Sequence, residues 1–215
     1  MIICETLENA MRMKRQLFTC VFATLFAASA NAISQEKTVD TAAVNAKAEH
    51  YLHTFVTELM HDPVVVRSIN TQNVFNEALE LSTIEELDQQ WRQEREQGGG
   101  ALIERVLENS LSEYLQLIKE ISEGMVTEII VMDNQGLNVG VSDITSDYWQ
   151  GDEDKWQRTF ALGEGAVFVD EIELDESTQI VQTQASVAII NPFDNQVIGA
   201  VTFGLNAELL LAEIE

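Results

Sequence analysis

Tyr148, Trp149 and Trp156 fall in one short stretch that ends beside Arg158. Aromatic rings exclude water, and a guanidinium forks onto a carboxylate. Together they suit a small anion or an apolar-bodied solute carrying an acid group. The alternative is a hydrophobic plug that seals a sheet edge, with Arg158 exposed among acids. Farther along, Val181, Thr183, Ala185, Val187 and Ile189 alternate with Gln182, Gln184, Ser186 and Ala188. Val197, Val201, Phe203 and Leu205 likewise separate from Ala200, Thr202 and Gly204. A strand sends such alternating residues to opposite faces. Ser186 and Thr202 then stand on a small, partly polar face. That face is either a pocket floor where both hydroxyls meet a ligand, or a surface on which a long helix packs closely.

Other residue types that do chemistry point elsewhere. His50 and His53 share a helix face, but no carboxylate or Cys completes a zinc set. The acids Asp143, Asp147, Asp152, Glu153 and Asp154 lack the alternate spacing about a tight Gly turn that calcium loops use, so they read as solvated surface. The run Asp133-Asn134-Gln135-Gly136 reads as an ordinary hairpin turn. There is no Gly-x-Ser-x-Gly, no phosphate loop and no paired catalytic signature. The expectation is a protein that is not an enzyme and carries no metal or cofactor.

Helices and strands must position these groups. Apolar residues recur with helical spacing from Val39 to Met60, and Asp62-Pro63 ends that run. A second helical segment is expected from about Val74 to Gln97, with Ser82 and Glu85 as a capping box over its later part. A third runs from Leu102 to Ile121, with Gly124 as its C-cap. Beyond Gly124 the period changes. Val126 to Asp133 and Leu137 to Ser142 form a hairpin, and Ser146 to Phe160 is a loop with a short helix. Three further strands follow, Gly165 to Leu174, Gln179 to Ile190 and Gln196 to Leu205, and then a helical tail. This order predicts an α+β fold, with helices packed on a five-stranded antiparallel sheet.

Charge and leader narrow the setting. The chain has 215 residues, 36 acidic against 12 basic, and a formal net charge of −24. Phosphates are repelled along such a surface, which excludes nucleic acid and disfavours anionic lipid. Arg12, Lys14 and Arg15 precede the apolar stretch Leu17 to Ala27, and Ala30-Asn31-Ala32 is a small-x-small cleavage pattern. Residues 1–32 therefore read as a secretory signal peptide, with translation starting at Met11 or Met13 and residues 1–10 upstream of it. Both cysteines lie in the removed part, so the mature chain has neither a disulfide nor a thiolate site. No later stretch approaches a membrane span, which predicts a free periplasmic protein that is not membrane-embedded. Residues 33–125 form the helical part of the domain and residues 126–215 the sheet and tail.

The stretch GAVFVDEIELDESTQIVQTQASVAIINPFDNQVIGAVTFGLN at 165–206 and the segment SDYWQGDEDKW at 146–156 carry a resemblance. With a long N-terminal helix ahead of five strands, they resemble the Cache domains, the PAS-like extracytoplasmic sensor modules also called PDC domains. The likeness is strongest from Val131 to Leu210. It implies a sensory domain that binds a small metabolite, such as a carboxylate, through Tyr148, Trp149, Trp156, Arg158, Asp170, Ser186 and Thr202. Amino-acid-binding members carry an Arg-x-Trp-Tyr run and an Asp in the last strand. Here Asp154-Lys155-Trp156-Gln157 and Gly204 occupy those places, which leaves Asp170, and Asp175 at the following turn, as acidic candidates. A stand-alone member would signal through a membrane receptor, such as a histidine kinase or a cyclic-di-nucleotide enzyme, and the first helix could pair two copies. The alternative is an interaction or inhibitory protein that needs no ligand.

Overall fold

Asp40 starts the first helix, its carboxylate accepting the Ala43 amide at 3.2 Å. Helix α1 (Thr41–His61) buries Val44, Ala48, Leu52 and Leu59, a stripe that falls on one side of a 3.6-residue period. Asp62 then closes α1 and opens α2 (Pro63–Asn76), accepting the Val64 amide at 2.9 Å. The computed structural model describes residues 40–175 and 179–212, with side chains throughout except at 55–58, 60 and 61. The signal peptide expected at residues 1–32 lies outside the described residues.

Helix α2 corrects the sequence reading, which stopped at Asp62-Pro63 and assigned no helix before Val74. Proline breaks the helix it follows, but its missing N–H and fixed φ suit the first position of the next one. Helix α3 (Leu81–Glu96) begins at Glu80 with no side-chain cap, so Ser82 is inside it and forms no capping box. The expected single helix from Leu102 to Ile121 is two, α4 (Ala101–Leu107) and α5 (Ser110–Ile121). Asn109 separates them. Its side-chain oxygen accepts the Ser112 amide at 2.9 Å, and its side-chain N–H groups donate to Val106 O at 2.8 Å and Val139 O at 2.9 Å.

The sheet comprises β1 (Val126–Met132), β2 (Asn138–Val141), β3 (Val167–Val169), β4 (Glu173–Asp175), β5 (Ile180–Ile190) and β6 (Val197–Asn206), with the short α6 (Asp154–Gln157) before β3 and α7 (Ala207–Ala212) after β6. Its order is β2-β1-β6-β5-β3, all antiparallel, with β4 also on β5. The expected third strand is interrupted. Val169 pairs with Ala185 and Glu173 with Gln182, so one extra residue intervenes on the outer strand, a bulge. The five-strand pattern is kept, with β3 and β4 sharing one lane.

Both faces of the sheet are covered. Ile129, Val131, Ala185, Ile189, Val201, Phe203 and Leu205 meet α1, α2, α5 and α7. On the other face, Ile130, Met132 and Ala200 meet Ile84 and Trp91 of α3, Leu102, Ile103 and Val106 of α4, and the aromatic segment. The long helix therefore lies on the Ala185 face, which removes it as the reason for the small residues at Ser186 and Thr202. The edge strand β2 is shielded by side-chain partners. Gln72 reaches Asn138 O at 3.2 Å, Asn109 reaches Val139 O, and Ser112 Oγ accepts the Val141 amide at 2.9 Å. Such covering removes the unpaired row that makes exposed edges sticky.

Candidate functional site

The residues expected to hold a ligand divide among separate local arrangements. Tyr148 is 2% exposed and stacks on Trp91 at 5.6 Å between centroids. The amides of Tyr148 and Trp149 donate to Asp88 Oδ1 at 2.9 and 3.1 Å. Asp88 in turn pairs with Arg92 at 2.8 Å, and Arg92 reaches Asp147 at 3.3 Å. The Trp149 indole donates to Gln135 O at 2.9 Å, and the Trp156 indole donates to Asp133 O at 3.1 Å. Trp156 also stacks on Phe160 at 4.9 Å. Arg158 lies over the Phe168 ring at 4.2 Å and 3.5 Å from Asp154. The Asp170 carboxylate accepts the Glu171 amide, and its backbone pairs with Gln184. Ser186 and Thr202, both fully buried, hydrogen-bond each other at 2.9 Å.

Asp133 does more than turn the hairpin. It is fully buried and accepts Gln135 N and Leu137 N on one oxygen, and the side-chain amides of Gln72 and Asn76 on the other, at 2.9 to 3.0 Å. These bonds pin α2 to the β1–β2 turn. Gly136, at φ +83°, brings the turn against Gly151, whose backbone a Cβ would strike.

A polar group lies near the other end of this face. Gly204 sits opposite Glu128 in the β1–β6 ladder, and a Cβ at Gly204 would strike Thr127 and Glu128. The acid at this level of the sheet thus comes from β1. Glu128 accepts the Gln184 amide at 2.7 Å. Burial pushes its carboxyl above the ordinary 4.5, against the pull of the Gln184 bond and of Lys155. Lys155, 8% exposed, pairs with Glu153 at 3.0 Å. Glu153 is raised as well, again by burial working against Lys155. Sequence reasoning passed over Glu128, although a Glu within the apolar run Val126–Met132 is a readable signal.

An open cleft of about 480 Å³ lies beside β2, between α2 and α4. Arg67, Thr71 and Phe75 line one side, Arg105, Val106 and Asn109 the other, and Tyr148 and Val139 also face it. The Tyr148 phenol is pushed up to about 12 by burial, with Arg105 pulling the other way, so it stays a neutral donor. Among the described residues, Arg67 and Arg105 form no salt bridge, as is also true of Lys47 and Arg95, whereas Arg92, Lys119, Lys155 and Arg158 do. Arg67 and Arg105 are set apart by lining one cleft together; Arg105 also acts electrostatically on Glu94. The arrangement presents two cationic forks and a phenol around an apolar patch, which suits an oxyanion with a short carbon body. Sequence reasoning found Tyr148 but neither arginine, because no local spacing links positions 67 and 105.

The sequence matches no family model and no curated protein. Solved structures with a similar fold include the sensor domain of the Vibrio cholerae histidine kinase DctB, 9% identical, TM-score 0.42, covering 79% of this chain and 55% of that one. The extracellular domain of the histidine kinase rpHK1S-Z16 is 13% identical, TM-score 0.40, covering 83% and 60%. The sensory domain of the Campylobacter jejuni chemoreceptor Tlp3 is 14% identical, TM-score 0.38, covering 82% and 70%. The chain thus spans little more than half the length of the first two. At such TM-scores the likeness is one of layer order, and the site is read from this chain's own geometry. Among the described residues no helix is long and apolar enough to cross a membrane.

Proposed function

We propose that this chain is a Cache-type sensory domain of the periplasm that binds a small organic anion in the cleft beside β2. The carrying observation is the pair Arg67 and Arg105, which line one cleft and form no salt bridge among the described residues. The acidic surface repels anions at long range, so capture depends on these two groups at close range. Arg105 and the Tyr148 phenol hold one end of the solute, Arg67 the other, and Phe75 and Val106 cover its body. Tyr148 also belongs to the segment leading into α6, so a ligand that engages it biases the packing of that segment. The change is read by a separate membrane protein, such as a histidine kinase or a cyclic-di-nucleotide enzyme. No catalytic step is assigned.

Calorimetry of the purified protein against acetate, succinate, citrate and inorganic phosphate tests this reading. A dianion is expected to bind more tightly than acetate. Arg67→Ala and Arg105→Ala are each expected to weaken it by about tenfold or more, since a hydrogen bond to a charged group contributes roughly 1.5–3 kcal/mol. Silence across the panel, with the protein folded, would sink the proposal. It would leave the second reading, an interaction protein that needs no solute, which the exposed Phe75 and Phe193 favour.

A further inference from the structure

A second opening, of about 600 Å³, lies along α2. Pro63, Val66, Val74 and Phe75 form one wall, and Pro192 and Phe193, on the turn between β5 and β6, form the other. Val74 is 75% exposed, Phe75 82% and Phe193 91%. Apolar side chains gathered around a groove at this exposure mark an interaction surface. Arg67 is the one charged residue lining the groove, and the exposed Asp194 directly follows Phe193.

We infer that a second copy of this chain docks here about a two-fold axis. Phe193 of each copy enters the groove of the other and brings Asp194 against Arg67. Two features select a second copy over another partner. Knob and groove lie on the same patch, and a two-fold interface requires that each copy offer both. The knob also carries an acid and the groove an arginine, so the contact is complementary in charge as well as in shape. Val44, Ala48, Leu52 and Leu59 of α1 are buried within the chain itself, so this contact draws on a different surface from the first helix. The net charge of −24 per copy opposes association. Salt screens that repulsion beyond about 8 Å at physiological ionic strength, so the dimer strengthens from low to physiological salt. Arg67 lines both openings. If the anion reading holds, an anion competes with Asp194 for this guanidinium and weakens the dimer.

Sedimentation velocity of the purified protein over a hundredfold concentration range, at physiological salt, tests the docking. A monomer–dimer equilibrium is expected. Phe193→Asp, on an exposed turn where folding is unaffected, should weaken it by about thirtyfold or more, the scale of an aromatic anchor. Arg67→Asp should also weaken it, and Arg67→Asp with Asp194→Arg should restore most of the loss. A wild-type monomer at every concentration gives the groove to another partner and overturns the inference. So does a dimer indifferent to Phe193→Asp. Calorimetry of Phe193→Asp keeps the two readings apart. Anion binding that persists in the monomeric variant supports both, whereas a dimer without anion binding leaves the docking standing and removes only the solute.

Discussion

The sheet face under the aromatic segment and the cleft beside β2 both set an arginine next to a ring, yet they differ in what is left over. Under the segment, Arg158 covers Phe168 and pairs with Asp154, Ser186 pairs with Thr202, and both indoles reach backbone carbonyls. Each of these groups is matched from within the chain. In the cleft, Arg67 and Arg105 form no salt bridge among the described residues. Lys47 and Arg95 also stand outside the salt bridges of the described residues, so what sets Arg67 and Arg105 apart is that they line one cleft. A cluster of the right residue types is therefore weaker evidence for a site than polar groups that face one open cleft together.

The sharpest way to break this contrast is at Trp91, which is fully buried, stacks on Tyr148 and donates to Thr145 O at 3.0 Å. Trp91→Ala is expected to cost about 3–5 kcal/mol in urea unfolding. It should also weaken anion binding, because Tyr148 loses its support. An unchanged anion affinity in the folded variant would separate Tyr148 from the cleft.

A smaller effect is expected under the segment. Ser186→Ala leaves the Thr202 hydroxyl buried without its partner, at a cost of about 1–3 kcal/mol. Ser186→Ala with Thr202→Val removes both polar groups and should cost less than the sum of the single changes in a double-mutant cycle. None of the three variants should alter anion affinity. A loss of affinity there would move the site back under the aromatic segment.

The smallest effect is at Glu128. Burial raises its pKa in the fold, so the unfolded chain ionises first as pH rises. The stability that Glu128 contributes is fully present below its unfolded pKa and is lost as pH climbs through the folded value. Glu128→Gln removes that loss while keeping an acceptor for Gln184. Thermal melts should show a higher midpoint for the variant near neutral pH and no gain near pH 4. A gain that is equal at both pH values would assign it to packing rather than ionisation.

Much of the sheet was readable. The hairpin, the bounds of β5 and β6 and the tail follow from strict alternation broken by turn residues. The helices were less so, for reasons visible at two residues. Asp62 both ends one helix and starts the next, and Asn109 interrupts an apolar period that runs straight through it. In each case a single polar side chain outweighs the periodicity by satisfying backbone amides that no pattern of apolar residues reveals. The candidate site was legible only at Tyr148. Its arginines lie on helices far apart in the chain, and only packing on the shared edge strand brings them together.

What this sequence determined alone is local: charge balance, strand alternation, helical stripes and turns, each set by neighbours within a few positions. Tertiary structure decided which cations would find acids and which would not. Pairing depends on distances between residues remote in sequence, and those distances exist only once the layers have packed on the sheet.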